Sequence, residues 1–373
     1  MDDSALSPLI DRIRAAAADR RPLRIRGGGT KDFYGEPAGE AEVLSTTGLT
    51  GIVSYEPSEL VVTVRAGTPL AELEAALAAQ GQCLPFEPPH FGPGATVGGM
   101  VAAGLSGPAR ATAGAVRDYV LGVTLVNGRG EVLQFGGQVM KNVAGYDVSR
   151  LLAGSMGTLG LIAEVSLKVL PVAPAEATLR FELPQQQALD RLNEWGGQPL
   201  PLNASDWVVD QGVPTLYLRL RGAVAAVESA CRKLGGQRLD TVADDWAASR
   251  ELTLPWFNER GARDLWRLSV PQTAPVLALP EDPFIQWQGG QRWVRAEPGA
   301  GAALRAVAQA AGGSATLFLP LSVDIFPDRA LNEKLYLWLA AYFAHVPVAP
   351  ISEPDPLRAD LLKLRRAQPA AAA

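Results

Sequence analysis

The sequence predicts an α+β protein in two main units and a tail: a mixed α/β unit over residues 1–172, an α+β unit over 173–320 and a divergent helical tail over 321–373. Three observations carry this reading. A length of 373 residues accommodates two or three domains at roughly 150 residues each. In the first half, β-branched strand-like runs are interrupted by glycine clusters, whereas in the second half strands alternate with amphipathic helices, the pattern of one sheet covered on one face. Pro171 and Pro174 punctuate the passage between the two.

Composition narrows the function. Hydrophobic residues make up 47% and charged residues 20%, enough to bury sizeable cores and too apolar for wholesale disorder. Lys and Arg total 34 against 39 Asp and Glu, a net charge of −5 with no long basic run, which argues against nucleic acid as a partner. Two cysteines, Cys83 and Cys231, build neither a disulfide framework nor a four-thiolate iron–sulfur site. With His90 and His345 as the only histidines, no metal centre is expected. The opening MDDSALSPLIDRIR is acidic and lacks the apolar core of a signal peptide. The longest apolar run, residues 335–344, is about half of what a membrane span needs. A cytoplasmic protein with chemistry supplied by a cofactor is expected.

Along the chain, residues 4–19 form an amphipathic helix with Leu6, Leu9, Ile10 and Ile13 on one side. Leu23–Arg26 is a short strand that runs into Gly27-Gly28-Gly29-Thr30. Residues 60–66 alternate and are β-branched, a strand; then Thr68 is the expected N-cap of a helix, Pro69 suits its first turn and Gly81 ends it. Residues 81–114 hold eight Gly and five Pro with only Glu87 and Arg110 charged, and show no sustained period. So apolar and glycine-rich a stretch is expected to pack closely against something buried. Residues 119–126 and 131–135 are strands joined by the hairpin signal Asn127-Gly128-Arg129-Gly130, and 161–169 is a further strand stopped by Pro171. Strands follow at 176–182, 206–210, 215–221, 264–269, 284–288, 292–296 and 315–319, with helices near 185–195, 223–234, 242–251 and 300–311. Residues 335–344 and 357–366 read as helical, the first with Leu335, Leu339 and Tyr342 at i, i+4 and i+7.

The glycine clusters are the candidate site. Without Cβ atoms, successive N–H groups of Gly27, Gly28, Gly29 and Thr30 can converge on a pyrophosphate, although a plain turn after a strand has the same composition. The spacing is neither that of a P-loop nor of a Rossmann fingerprint. Thr96-Val97-Gly98-Gly99 and the glycines around 145–160 extend the theme, so either a large cofactor touched at several points or a set of tight packing corners is implied.

These motifs resemble the flavin-binding domain of the vanillyl-alcohol oxidase and FAD-linked oxidase superfamily, over about residues 20–172. The Gly27-Gly28-Gly29 loop, Thr96–Gly99, Gly145-Tyr146-Asp147 and Gly157-Thr158-Leu159-Gly160 match its motifs. The runs YEPSELVVTVRAGTPL, FEPPHFGPGATVGGMVAAGLSGP and GGQVMKNVAGYDVSRLLAGSMGTLGLIAEVSLKVLP are similar to the family of FAD-binding E subunits of bacterial glycolate oxidases. The resemblance implies a PCMH-type FAD-binding domain of two α/β subdomains followed by an α+β cap. It implies that Gly27, Gly28, Gly29 and Thr30 hold the pyrophosphate and that Thr96, Gly98 and Gly99 approach pyrophosphate or ribityl. Gly157 and Ile162 would lie along the cofactor, with the Ile162 main chain near the adenine. Arg110, Lys141 and Tyr146 would lie beside the flavin, their plainer alternatives being a surface charge, a loop cap and a core aromatic. His90 in the proline-rich loop and His345 read as structural.

Two departures shape the functional expectation. Where some members attach FAD covalently through a histidine after the glycine loop, this chain has Thr30, so FAD is expected to bind non-covalently. The His-x-His and Gly-Asp-Gly-Asn-x-His signature of the D-type subunit and its D-lactate dehydrogenase relatives is missing from residues 172–373, and the last fifty residues lack the family's usual Asp-Pro…Phe-Asn-Pro-Gly-Arg ending. No catalytic base can be nominated. The resemblance therefore implies an oxidoreductase subunit that is inactive alone, partnered by a D-type FAD subunit with the substrate site and an iron–sulfur F subunit, and able to sit peripherally at the inner face of the membrane. A free-standing FAD oxidoreductase and a structural subunit that has lost its flavin are the competing readings.

Overall fold

The structure, a computed structural model, describes residues 4–35, 41–138, 146–240, 242–259, 261 and 263–319. The expected helices at 335–344 and 357–366, the rest of the tail, Lys141 and His345 lie outside the described residues.

Helix α1 (Ser7–Ala18) buries Ile13 and Ala16 and, with Leu6, covers the small parallel pair β1 (Leu23–Arg26) and β2 (Glu42–Ser45). Next come β3 (Ile52–Glu56), β4 (Val61–Arg65), helix α2 (Leu70–Ala78) and the two-residue strand β5 (Gln82–Cys83). The N-cap of α2 is Pro69 rather than Thr68. The buried Thr68 hydroxyl instead accepts the Gly51 N–H at 2.9 Å, which ties the helix start to the preceding loop. The glycine-rich stretch then forms three short helices, α3 (Val97–Ala103), α4 (Arg110–Ala113) and α5 (Val116–Tyr119). Strands β6 (Val120–Val126) and β7 (Val132–Gly136) form the expected hairpin, its turn closed by Asn127 Oδ1, which accepts the N–H groups of Arg129 and Glu131. Helix α6 (Val148–Leu151), β8 (Leu161–Lys168) and β9 (Leu170–Pro171) follow, with β9 pairing back on β5. The resulting five-stranded sheet has the order β3-β4-β8-β6-β7 and is antiparallel throughout.

A second sheet starts at Ala175. It is built from β10 (Ala175–Glu182), α7 (Gln185–Gly196), β11 (Leu202–Asp210), β12 (Val213–Gly222), α8 (Val224–Leu234), β13 (Gln237–Leu239), α9 (Ala243–Glu251) and α10 (Pro255–Asn258). It continues through β14 (Asp264–Ser269), β15 (Phe284–Gln286), β16 (Gln291–Ala296), α11 (Gly301–Ala310) and β17 (Ser314–Leu319). Its eight strands lie in the order β13-β10-β12-β11-β15-β16-β14-β17. Side-chain alternation decides what each face meets. Leu216, Leu218, Leu220 and Ile285 pack under α7 and α8, and Trp266 and Val294 under α11. Their strand neighbours Leu265, Phe284 and Trp293 point the other way and pack on Ala103, Leu105, Phe33 and Phe91 of the first unit. The glycine-rich segment is thus clamped against a buried sheet face.

Polar groups fix that clamp. Arg219 of β12, 4% exposed, meets Glu87 at 2.5 Å, and the same carboxylate accepts the Ala109 N–H. Trp287 Nε1 donates to the Gly107 carbonyl at 2.9 Å. Behind them, buried Asp206 of β11 accepts from Ser249 Oγ at 2.5 Å and from Gln286 Nε2 at 3.1 Å. Burial pushes the Asp206 carboxyl up to about 6, against the opposing pull of those two hydrogen bonds and the Arg219 charge and with Glu87 reinforcing the rise. A carboxyl raised from 3.8 to about 6 binds its proton more tightly in the folded chain. Its contribution to stability is therefore complete below the unfolded value and is lost as pH rises through about 6. Asp206→Asn, which stays neutral, should be more stable than the parent at pH 8 by about 3 kcal/mol. Denaturant melts should show this advantage shrinking between pH 6.5 and 4; an advantage independent of pH would contradict the assignment.

Candidate functional site

Strand β1 delivers Gly27 and Gly28 to a place where two backbones touch. A Cβ on Gly28 would lie 1.5 Å from the Gly94 carbonyl oxygen, and one on Gly27 would lie 2.3 Å from Thr96 Oγ1. Gly29 takes a φ of +76°, the left-handed region that favours glycine. Among the described residues, the N–H groups of Gly28, Gly29 and Thr30 donate to no protein acceptor. Three consecutive free donors on a glycine turn are able to form an anion-binding concavity.

Thr96, Gly98 and Gly99 reach the same place, the last two with their amides already engaged. Thr96 is the N-cap of α3 and its hydroxyl accepts from Gly99 N at 3.2 Å, while Gly98 N donates to the Ala66 carbonyl at 2.7 Å. Gly98 is a packing residue: its Cβ would fall 2.6 Å from that of Ala66.

The third segment is stitched to α3 by Gly154 N and Met156 N, which donate to the carbonyls of Val101 and Ala102. Gly157 faces Ile25 of β1, with 3.6 Å from its would-be Cβ to the Ile25 side chain. Ile162 sits in β8 opposite Leu125, 5% exposed and within the main core. Gly27, Gly28, Thr96 and Gly157 are therefore gathered around the end of β1.

Arg110 and Tyr146 are not drawn to the glycine turn in the same way, and Lys141 lies outside the described residues. Tyr146 is 91% exposed, which excludes its reading as a core aromatic. Arg110 stacks over the Trp287 ring at 4.4 Å, at the seam between the two units. His90 is structural as expected: Nε2 lies 2.9 Å from Glu74 Oε2, and its N–H is held by Glu251. Next to the glycine turn, Lys31 Nζ donates to the His90 carbonyl at 3.2 Å and sits 5.6 Å from the Phe91 ring. Burial lowers its pKa to about 8, with Glu251 opposing.

Sequence reasoning misses the seam itself. Phe91 and Leu105 of the glycine-rich segment and Arg267, Gln286, Gln291 and Trp293 of the second sheet line a small cleft there. The available signal is that both side-chain parities of β14, β15 and β16 carry large apolar residues, Leu265, Phe284 and Trp293 on one and Trp266, Ile285 and Val294 on the other, so both sheet faces must be covered. Among the described residues no group of three or more His, Cys, Asp or Glu side chains is placed to hold a metal ion.

The fold and its glycine turn have known counterparts. Residues 7–136 match the FAD binding domain family. The chain is 43% identical over 325 residues, 85% of its length and 90% of the relative's, to glycolate oxidase subunit GlcE of Escherichia coli (strain K12). It is 31% identical over 185 residues to glycolate oxidase subunit GlcD of Bacillus subtilis (strain 168), covering 48% of this chain and 39% of that one. Among solved structures, alkyldihydroxyacetonephosphate synthase shares the fold with a TM-score of 0.61 at 15% identity, over 90% of this chain and 72% of that one. A glycine turn with free amides, set in an FAD-binding fold and matched along most of its length by GlcE, places the chain in the GlcE family of glycolate oxidase subunits, flavoproteins of the FAD-linked oxidase superfamily.

Proposed function

We propose that this chain is the FAD-carrying accessory subunit of a glycolate oxidase complex that converts glycolate to glyoxylate. In this reading a D-type flavin subunit carries the substrate site and an iron–sulfur F subunit takes the electrons. The observation that carries it is the glycine turn of residues 27–30 with its three unengaged amides. The residues fit the dinucleotide, because Gly28, Gly29 and Thr30 present donors to a pyrophosphate and the neighbouring surfaces admit no Cβ. When bound, FAD supplies a hydride or electron acceptor, the chemistry that the side chains themselves lack. The second sheet and its helices, over about residues 173–320, act as the cap. The described residues include no helix long and apolar enough to cross a membrane. We place the chain in the cytoplasm, free or peripherally attached to the membrane's inner face.

Oxidation of a hydroxy acid requires a base at the substrate hydroxyl. An independent site with Tyr146 as that base between Arg110 and Lys141 is disfavoured, since Tyr146 is 91% exposed. His90 is committed to Glu74.

Three outcomes test the reading. Acid precipitation should release all the flavin, because Thr30 offers no imidazole for a covalent link; yellow colour in the pellet would contradict it. Gly28→Val should lower flavin content at least tenfold while far-ultraviolet circular dichroism stays close to the parent, since the new side chain enters the Gly94 carbonyl. Mixed anaerobically with glycolate, the flavin-loaded chain alone should keep its oxidised spectrum and bleach only after the D-type subunit is added. Rapid bleaching by the isolated chain would favour a free-standing oxidoreductase.

A further inference from the structure

One carboxylate of the second unit holds the loop that backs the glycine turn. Glu251 is the last residue of α9 and is partly buried. A negative charge in the last turn of a helix is disfavoured by the helix dipole, so its stabilising partners lie outside the helix. They are backbone amides of the first unit. Phe91 N–H donates to Glu251 Oε2 at 2.7 Å, and His90 N–H donates to Oε1 and Oε2 at 3.1 and 3.0 Å. Arg250 Nε donates to Oε1 at 2.8 Å and steadies the carboxylate. Hydrogen bonds to an ionised acceptor are roughly twice as strong as neutral ones.

Both sides of this contact are strained. Phe91 has a φ of +54° and Leu252, which follows Glu251, has +55°, the left-handed region that bulky side chains rarely enter. Such conformations persist only where their surroundings over-determine them. Here Phe91 and Leu252 pack in one apolar cluster while Glu251 fixes the Phe91 amide.

The other side of the same loop meets the glycine turn. The His90 carbonyl accepts from Lys31 Nζ, the Phe91 ring lies under that ammonium, and the Gly94 carbonyl fills the space beside Gly28. The ionisable groups around Lys31 are otherwise engaged: Glu74 with the His90 ring, Asp32 with Arg24 and Arg26, and Arg250 with Glu251. Glu251 is the charge that acts on Lys31, opposing the effect of burial.

We propose that Glu251 is a positioning residue for the flavin site: by holding the His90 and Phe91 amides it sets the loop of residues 90–94 behind the glycine turn and fixes the Lys31 ammonium beside it, so that the second unit tunes how tightly the first holds FAD. The inference rests on the FAD reading of the glycine turn and adds to it a contribution from the second unit.

The test uses the full FAD-loaded chain, with the FAD dissociation constant from ultrafiltration as the readout. Glu251→Ala should weaken FAD at least tenfold, and Glu251→Gln, which keeps one acceptor oxygen for the amides, should fall between it and the parent. A pyrophosphate favours the ammonium form of Lys31, so the parent's affinity should fall as pH rises above about 8, and Lys31→Met should lack this step. In Glu251→Gln, without the charge that raises the Lys31 pKa, the step should move to lower pH. A merely structural role for Glu251 would leave the step where it is. Unchanged affinity in a folded Glu251→Ala, no step in the parent, or a step that Glu251→Gln leaves in place would each overturn the inference. The parent and Glu251→Gln profiles decide it even if Glu251→Ala folds poorly. A chain that takes up no FAD would overturn the flavin reading as well, whereas FAD binding indifferent to Glu251 would overturn this inference alone.

Discussion

The approach of the Gly28 backbone to the Gly94 carbonyl is the contact on which the rest of the site depends. No side chain fits at Gly28, since a Cβ would lie 1.5 Å from that oxygen. The contact pins the first glycine turn against the segment leading into α3. That segment is anchored in turn by Gly98 N on the Ala66 carbonyl and by Thr96 at the helix cap. The first amides of α3 are taken by Thr68 and Ala66, whereas among the described residues those of Gly28, Gly29 and Thr30 have no protein acceptor. A division of labour follows: one glycine segment offers donors and the other fixes where they point.

A second constraint joins this scaffold to the second sheet. The glycine-rich segment has almost no side chains with which to build a core, so it borrows one from the sheet face carrying Phe284, Trp293 and Leu265. Apolar burial alone has no directional preference. Orientation comes from Glu87, which takes Arg219, and from the Gly107 carbonyl, which takes Trp287. Buried ion pairs of this kind contribute little net stability when intact and cost about 3–5 kcal/mol when one partner is removed. Their effect is to make one docking geometry much better than its neighbours. The cleft at Arg267 and Gln291 exists because that geometry is fixed.

How much of this is legible beforehand depends on the kind of signal. Alternating β-branched runs announce β4, β6 and β8, and Asn127 with Gly130 announces the hairpin, because period and turn chemistry are local. Helix α3 is not legible: VGGMVAA carries two glycines and no period, and it is helical because Thr96 caps it and Ala66 receives Gly98. Thr68 misleads for the same reason, since its hydroxyl prefers the Gly51 amide across a loop to the helix it precedes. At the site, the free amides of Gly28 and Gly29 follow from a glycine run after a strand. The stacking of Arg110 on Trp287 depends on a contact distant in sequence, and the exposure of Tyr146 on what the fold leaves uncovered.

The distribution of ionisable groups bears on how such a chain takes part in a redox reaction. The buried carboxyl of Asp206 is tied down by Ser249 and Gln286, and the seam histidine, His90, is tied to Glu74. Among the described residues, Arg110 and Arg267 at the seam and Lys31 beside the glycine turn have no carboxylate within ion-pair distance. A positive field held in place by buried packing lowers the energy of any negative charge brought near it, without a proton moving. A protein built this way holds positive charge where its two units meet and beside its glycine turn.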